Sequence, residues 1–123
     1  MGLRILVVDD EPNVTEYVKL ELEDRGFEVV VENTGYEALQ HVMQGDIDVM
    51  ITDIAMPDMD GFELYRRSRE LNDDLPIIMM TGFGYDPNHT VVKARKGGLQ
   101  NVMFKPFDTD ELVERINRIT SEA

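Results

Sequence analysis

The hydrophobic positions of this chain alternate between two periods, and the alternation repeats five times. Leu3 to Val8 is a short apolar, partly β-branched run that stops at Asp9-Asp10-Glu11-Pro12. A run of that kind ahead of a turn signal predicts a buried strand. From Asn13 the period lengthens to that of a helix, with Val14, Tyr17, Val18 and Leu22 recurring between acids and Gly26 placed as a C-terminal cap. Phe27 to Val31 predicts the next strand. Gly35 to Gln44 predicts a helix with Ala38, Leu39, Val42 and Met43 inward and Gly45 as its stop.

The same alternation continues through the second half. Val49 to Thr52 predicts a strand ending at Asp53, Met56 to Gly61 a loop, and Phe62 to Leu71 a helix with Phe62 and Tyr65 on one side. Ile77 to Met80 predicts the fourth strand, followed by Thr81 and a glycine-rich loop. Asp86-Pro87 fits an N-cap with proline at the first helical position, opening a helix to about Lys96. Val102 to Phe104 predicts the fifth strand. Asp108 with Glu111 three residues on reads as an aspartate version of a capping box, opening a last helix with Leu112, Val113, Ile116 and Ile119 inward.

Five strand–helix units in strict alternation predict an α/β fold, a doubly wound parallel sheet with helices on both faces. Parallel neighbours need a crossover, and the crossover must lie over the sheet. No linker, repeat or low-complexity segment interrupts the units, so residues 1–123 are expected to form one domain with nothing left for a second.

Composition narrows the chemistry. There is no cysteine, which excludes disulfides, iron–sulfur clusters and thiolate zinc sites, and the two histidines, His41 and His89, are isolated and read as surface or cap residues. Any metal chemistry must then be carboxylate chemistry. No apolar run is long enough for a membrane span and no secretory leader pattern opens the chain, so a cytoplasmic location is expected. The 25 acids against 12 bases disfavour direct binding of nucleic acid or an anionic membrane. Residues 1–60 hold 15 acids and 3 bases, so the excess is concentrated in the first half.

In a doubly wound sheet, ligands bind where the carboxyl ends of the strands open onto one rim. The residues that end the predicted strands are Asp9 and Asp10, Asp53, Thr81 and Lys105. Crowded carboxylates either take up protons or recruit a cation. Oxygen donors without cysteine or histidine favour a hard ion, and few protein ligands with room for water suit Mg2+ better than Ca2+. A Mg2+ beside a carboxylate, with an ammonium and a hydroxyl nearby, suits phosphoryl transfer. Asp53 as nucleophile would give an aspartyl phosphate.

These residues carry a resemblance. Leu-Val-Val-Asp-Asp-Glu-Pro at 6–12, Asp53 with Met56-Pro57 and Asp60-Gly61-Phe62-Glu63-Leu64, Thr81, and Lys105-Pro106-Phe107 resemble the receiver domain of two-component response regulators over essentially the full chain. The resemblance implies a flavodoxin-like sheet of order 2-1-3-4-5 with five helices. Asp53 would be the phosphoacceptor, Asp10 a direct Mg2+ ligand, Asp9 a mainly water-mediated one, and Ala55 the donor of a backbone carbonyl to the metal. Thr81 and Lys105 would contact the phosphoryl group, and the Lys105–Pro106 peptide would be cis. The implied donor is a phosphohistidine on a sensor histidine kinase or phosphotransfer protein, and the implied output is a protein partner rather than turnover of a substrate.

The chain departs from the family pattern at several places. Val102 stands where the family usually has Tyr or Phe, so the ordinary aromatic rotamer switch is absent. The interval from Thr81 to Lys105 is longer than is usual, and Gly82 and Gly84 predict a reshaped start to the following helix. Ala55 and Phe83 flank the acceptor where polar side chains can orient a hydrolytic water, which predicts slow self-dephosphorylation. Two other readings stand beside the switch. A phosphorylation-independent interaction module is opposed by the intact Asp9, Asp10, Asp53, Thr81 and Lys105. A Mg2+-dependent phosphatase is opposed by Ala55, where such enzymes carry a second aspartate.

The remaining side chains read as packing or solvation. Met50, Met79, Met80 and Met103 are expected in the core and Met56 and Met59 beside the site, partly exposed. Arg66, Arg67 and Arg69 fit the solvated side of the third helix. Lys93, Arg95, Lys96, Arg115 and Arg118 make the last two helices less acidic, in the region where the family commonly docks partners.

Overall fold

A computed structural model describes residues 3–81, 102–104 and 108–121. Five strands, β1 (Arg4–Val8), β2 (Glu28–Glu32), β3 (Val49–Asp53), β4 (Ile77–Thr81) and β5 (Val102–Phe104), form one parallel sheet of order β2-β1-β3-β4-β5. Four helices are described: α1 (Pro12–Asp24), α2 (Gly35–Gln44), α3 (Gly61–Leu71) and α4 (Thr109–Ser121). The helix expected from Asp86 to Lys96, the glycine loop before it and the Lys105–Pro106 peptide lie outside the described residues. No described helix is long and apolar enough to cross a membrane.

Period-two alternation in the strands builds two cores. Leu6, Val8, Met50 and Met79 face α2 and α3, whereas Ile5, Val7, Ile51, Met80 and Met103 face α1 and α4. Burial on both faces is why these strands read as continuous apolar runs. The four strand methionines lie in the core as expected, each at most 2% exposed.

The helix ends follow local chemistry. α1 begins one residue earlier than expected, with Pro12 in its first turn, where a missing N–H costs nothing. Beyond its end, Gly26 has φ +93° and donates to Glu23 O at 3.0 Å, the left-handed turn expected there. Thr34 and Asp60 cap α2 and α3, their side-chain oxygens accepting from Glu37 N at 3.2 Å and Glu63 N at 2.9 Å. At α4, Asp108 Oδ1 accepts from Asp110 N at 3.1 Å.

Met43, assigned inward, and Tyr17, a member of the helical period of α1, lie at the surface, because each is at the margin of its helix's apolar stripe and the neighbouring Val42 and Val18 fill the core. Met56 and Met59 move the other way and are buried, packed with Ile54 and Leu64 in the α2–α3 core. His41 is not a surface residue either. It is half-buried, with Nε2 at 2.7 Å from Glu32 Oε2 and Nδ1 at 3.6 Å from Asp46 Oδ1, and Arg4 Nη1 lies 2.9 Å from Asp46 Oδ2. This cluster ties α2 to β2 and to the start of β1. Arg66 and Arg67 are solvated as expected, but Arg69 donates to Leu75 O and covers the Tyr65 ring at 5.0 Å.

Candidate functional site

The strand order creates the site. The chain passes from β1 outward to β2, then returns to place β3 on the other side of β1. The crossovers to either side of β1 therefore diverge at the carboxyl edge between β1 and β3, and a crevice opens there. The register places Val8 beside Thr52, so the next residues along the two strands, Asp9 and Asp53, come to that crevice together.

Asp9 is 1% exposed and Asp53 6%, while Asp10 is exposed. One carboxylate oxygen from each of the three lies within 4.8 Å of the others. Asp9 Oδ1 also accepts from Glu11 N at 3.0 Å, which fixes the turn between β1 and α1. The carboxyl of Asp10 is held above its ordinary value, first by loss of water around it and then by the neighbouring Asp9 charge. Three carboxylates converging in this way, with oxygen donors alone, fit a hard divalent cation such as Mg2+.

Behind the acids the backbone is closely packed. Ile54 N donates to Met80 O at 2.9 Å, and Gly61 N donates to Ile54 O at 2.9 Å, which folds the loop after Asp53 back onto the strand end. Ala55 lies in this loop, half-buried, two residues past Asp53. A Cβ on Gly61 would meet Asp53 O at 2.5 Å, so the first turn of α3 approaches the end of β3 as only glycine allows. A Cβ on Gly35 would meet Met59 Sδ at 2.8 Å, which shows the same loop pressed against α2.

Of the residues expected at the rim, the structure brings Asp9, Asp10 and Asp53 together and ends β4 at Thr81 on the same edge, its backbone in register with Phe104. Val102 lies in β5 beside Met79. Lys105 and Phe83 fall outside the described residues. Asn33 and its partner Thr15 escaped the sequence reading. Asn33 Nδ2 donates to Asp9 O at 2.8 Å and to Thr15 Oγ1 at 3.3 Å, tying the β2–α2 turn to the acid turn. The available signal was a polar residue between a strand and the Thr34 cap, which by itself indicates only a turn.

Residues 5–117 match the response regulator receiver domain. The chain belongs to that family. The receiver is 38% identical over 114 residues to the transcriptional regulatory protein TrcR of Mycobacterium tuberculosis, covering 93% of this chain and 44% of that protein. It is 36% identical to the response regulator MprA of Mycobacterium leprae, covering 95% of this chain and 50% of the relative. The receiver thus spans about half the length of these curated relatives. Among solved structures, the CheY-like receiver domain protein from Methanospirillum hungatei JF-1 superimposes with a TM-score of 0.89 at 30% identity, covering 99% of this chain and 96% of that one. The α/β fold expected from the strand–helix alternation, and the 2-1-3-4-5 order that the resemblance implied, are both found, and the fold is shared with that solved structure.

Proposed function

We propose that this receiver is a phosphorylation-controlled switch in which Asp53 accepts a phosphoryl group from the phosphohistidine of a sensor histidine kinase or phosphotransfer protein. The observation that carries the reading is the convergence of the Asp9, Asp10 and Asp53 oxygens within 4.8 Å at the crevice between β1 and β3. Asp9 and Asp10, with Asp53 and the Ala55 carbonyl, would hold Mg2+. When bound, the ion neutralises oxygens of the transferring group and lowers the repulsion that an anionic nucleophile meets.

Asp53 supplies the electron pair. One of its oxygens forms a bond to phosphorus as the phosphorus–nitrogen bond of the donor breaks, and the departing imidazole keeps that bond's electrons. Thr81 and Lys105 donate to the phosphoryl oxygens. The burial of Asp53 on a strand end holds the nucleophile in a fixed direction, so little reorganisation accompanies attack. The product is an aspartyl phosphate on the chain itself, and no substrate is turned over. Output passes to a cytoplasmic protein partner that docks toward the C-terminal part, where α4 carries Arg115 and Arg118.

The test is a mass measurement after incubation with Mg2+ and acetyl phosphate. A gain of one phosphoryl group, lost in Asp53→Asn, is expected. An unmodified chain under conditions that phosphorylate another receiver would instead make it a phosphorylation-independent module, and repeated turnover of a phosphomonoester would make it a phosphatase.

A further inference from the structure

At the acid turn, a side chain from beyond the neighbouring strand bonds the carbonyl that follows β1. β1 and β2 pair from Arg4 and Glu28 to Val8 and Glu32, and a further backbone bond runs from Asp9 N to Glu32 O at 3.3 Å. In a parallel ladder the next rung would bring the N–H of Thr34 to Asp9 O. Thr34 is the N-cap of α2, where the ladder gives way to the helix. Asn33, one residue before that cap, donates through Nδ2 to Asp9 O at 2.8 Å.

The same nitrogen reaches Thr15 Oγ1 at 3.3 Å. Thr15 is 2% exposed on the inner side of α1, and its hydroxyl donates to Pro12 O at 3.0 Å. Asn33 therefore joins the end of β1, the first turn of α1 and the β2–α2 turn through one amide. The orientation of the Asp9 carboxylate depends on this backbone, because its Oδ1 accepts from Glu11 N within the same turn. Asp10 lies between these two fixed residues.

We propose that Asn33 is a positioning residue for the acidic pocket. By clamping the Asp9 backbone to β2 and α1, it holds the Asp9 and Asp10 carboxylates at their spacing to Asp53 against mutual repulsion, and so raises the affinity for Mg2+. The inference rests on the Mg2+ reading of the pocket given above. Its physical basis is that ligands kept in place before the ion arrives need no ordering when it binds, and groups that orient metal ligands commonly set affinity in this way.

Asn33→Leu keeps the branched shape and removes the donor. Calorimetric titration of the full chain with Mg2+ alone is expected to give about tenfold weaker binding than wild type. The rate of phosphorylation by acetyl phosphate, extrapolated to saturating Mg2+, is expected to match wild type, since Asn33 touches no reacting atom. Val42→Ala, a destabilising change within the α2 core, serves as the control and is expected to leave Mg2+ affinity unchanged. Wild-type affinity in Asn33→Leu, or an equal loss in Val42→Ala, overturns the inference and leaves the Mg2+ pocket standing. Absence of Mg2+ binding by the wild-type chain overturns both. Should Asn33→Leu fail to fold, Thr15→Val removes one of the two anchors. Weaker Mg2+ binding in Thr15→Val then supports the clamp, and unchanged binding overturns it.

Discussion

Gly61 lies so close to Asp53 that a methyl group in place of its α-hydrogen would stand 2.5 Å from the Asp53 carbonyl oxygen and 2.9 Å from the Ile54 Cα. Both neighbours are backbone at the end of a central strand, so neither can swing aside. Gly61→Ala is expected to push α3 away from the end of β3 and to cost about 2–3 kcal/mol of stability, read from urea denaturation. Its phosphorylation by acetyl phosphate is expected to be slower even where the chain is fully folded, because the strand end that aims Asp53 has moved. A variant as stable and as fast as wild type would show that the close approach has no consequence for the site.

The sequence-legible part of this arrangement was whatever one chain segment decides alone. Strands buried on both faces read as apolar runs, so β1, β3 and β4 announce themselves, and the polar residues that end them, Asp9, Asp53 and Thr81, are visible as abrupt stops. Stripe margins are less determined. Met43 and Tyr17 satisfy a helical period but lie outside the arc that the sheet covers, and a period alone does not state the width of that arc. Met56 and Met59 appeared to be loop residues beside a polar site. They are buried because the loop folds back against Gly35 of α2, a contact between segments far apart in sequence. Asn33 is the same case, since its role exists only once β2 is known to lie beside β1.

Ser68 is a polar residue inside the α2–α3 core side of α3, 0% exposed, and its hydroxyl has no hydrogen-bond partner among the described residues. A buried hydroxyl left unpaired carries its desolvation cost without return. Ser68→Ala removes that cost with a small loss of volume and is expected to raise stability by about 1 kcal/mol. Leu64→Ala, one turn earlier and equally buried, is expected to lower it by about 2–5 kcal/mol. Parallel denaturation curves of the two variants check both signs, and a destabilised Ser68→Ala would mean that the hydroxyl is bound.

The Asp10 carboxyl sits above its ordinary value because it loses water and faces Asp9, so ionising it costs the folded chain more than the unfolded one. A raised acid contributes its stability below the unfolded pKa and loses it as pH rises through the folded pKa. Without Mg2+, stability is therefore expected to fall on going upward through that interval, and Asp10→Asn is expected to flatten the fall. Added Mg2+ is expected to have the opposite slope, its binding strengthening over the same interval as the proton leaves. Melting temperatures across a pH series, with and without the ion, check the two slopes. A metal-free stability that rises through the interval in wild type but not in Asp10→Asn would contradict the assignment.

Ala55 brings no polar side-chain atom to the loop after Asp53, and this bears on how long a phosphoryl group would stay. Hydrolysis of an aspartyl phosphate needs a water aligned opposite the bond to Asp53, and a side-chain amide at position 55 would supply a donor and an acceptor to hold one. Positioning without proton transfer contributes less than full general acid–base catalysis. Ala55→Asn is thus expected to shorten the lifetime of the phosphorylated chain by about tenfold or less, with stability almost unchanged because the position is only half-buried. The decay of the phosphorylated mass after removal of the donor measures it directly. If wild type already loses the group within seconds and Ala55→Asn is no faster, water reaches the phosphoryl group without help from this position.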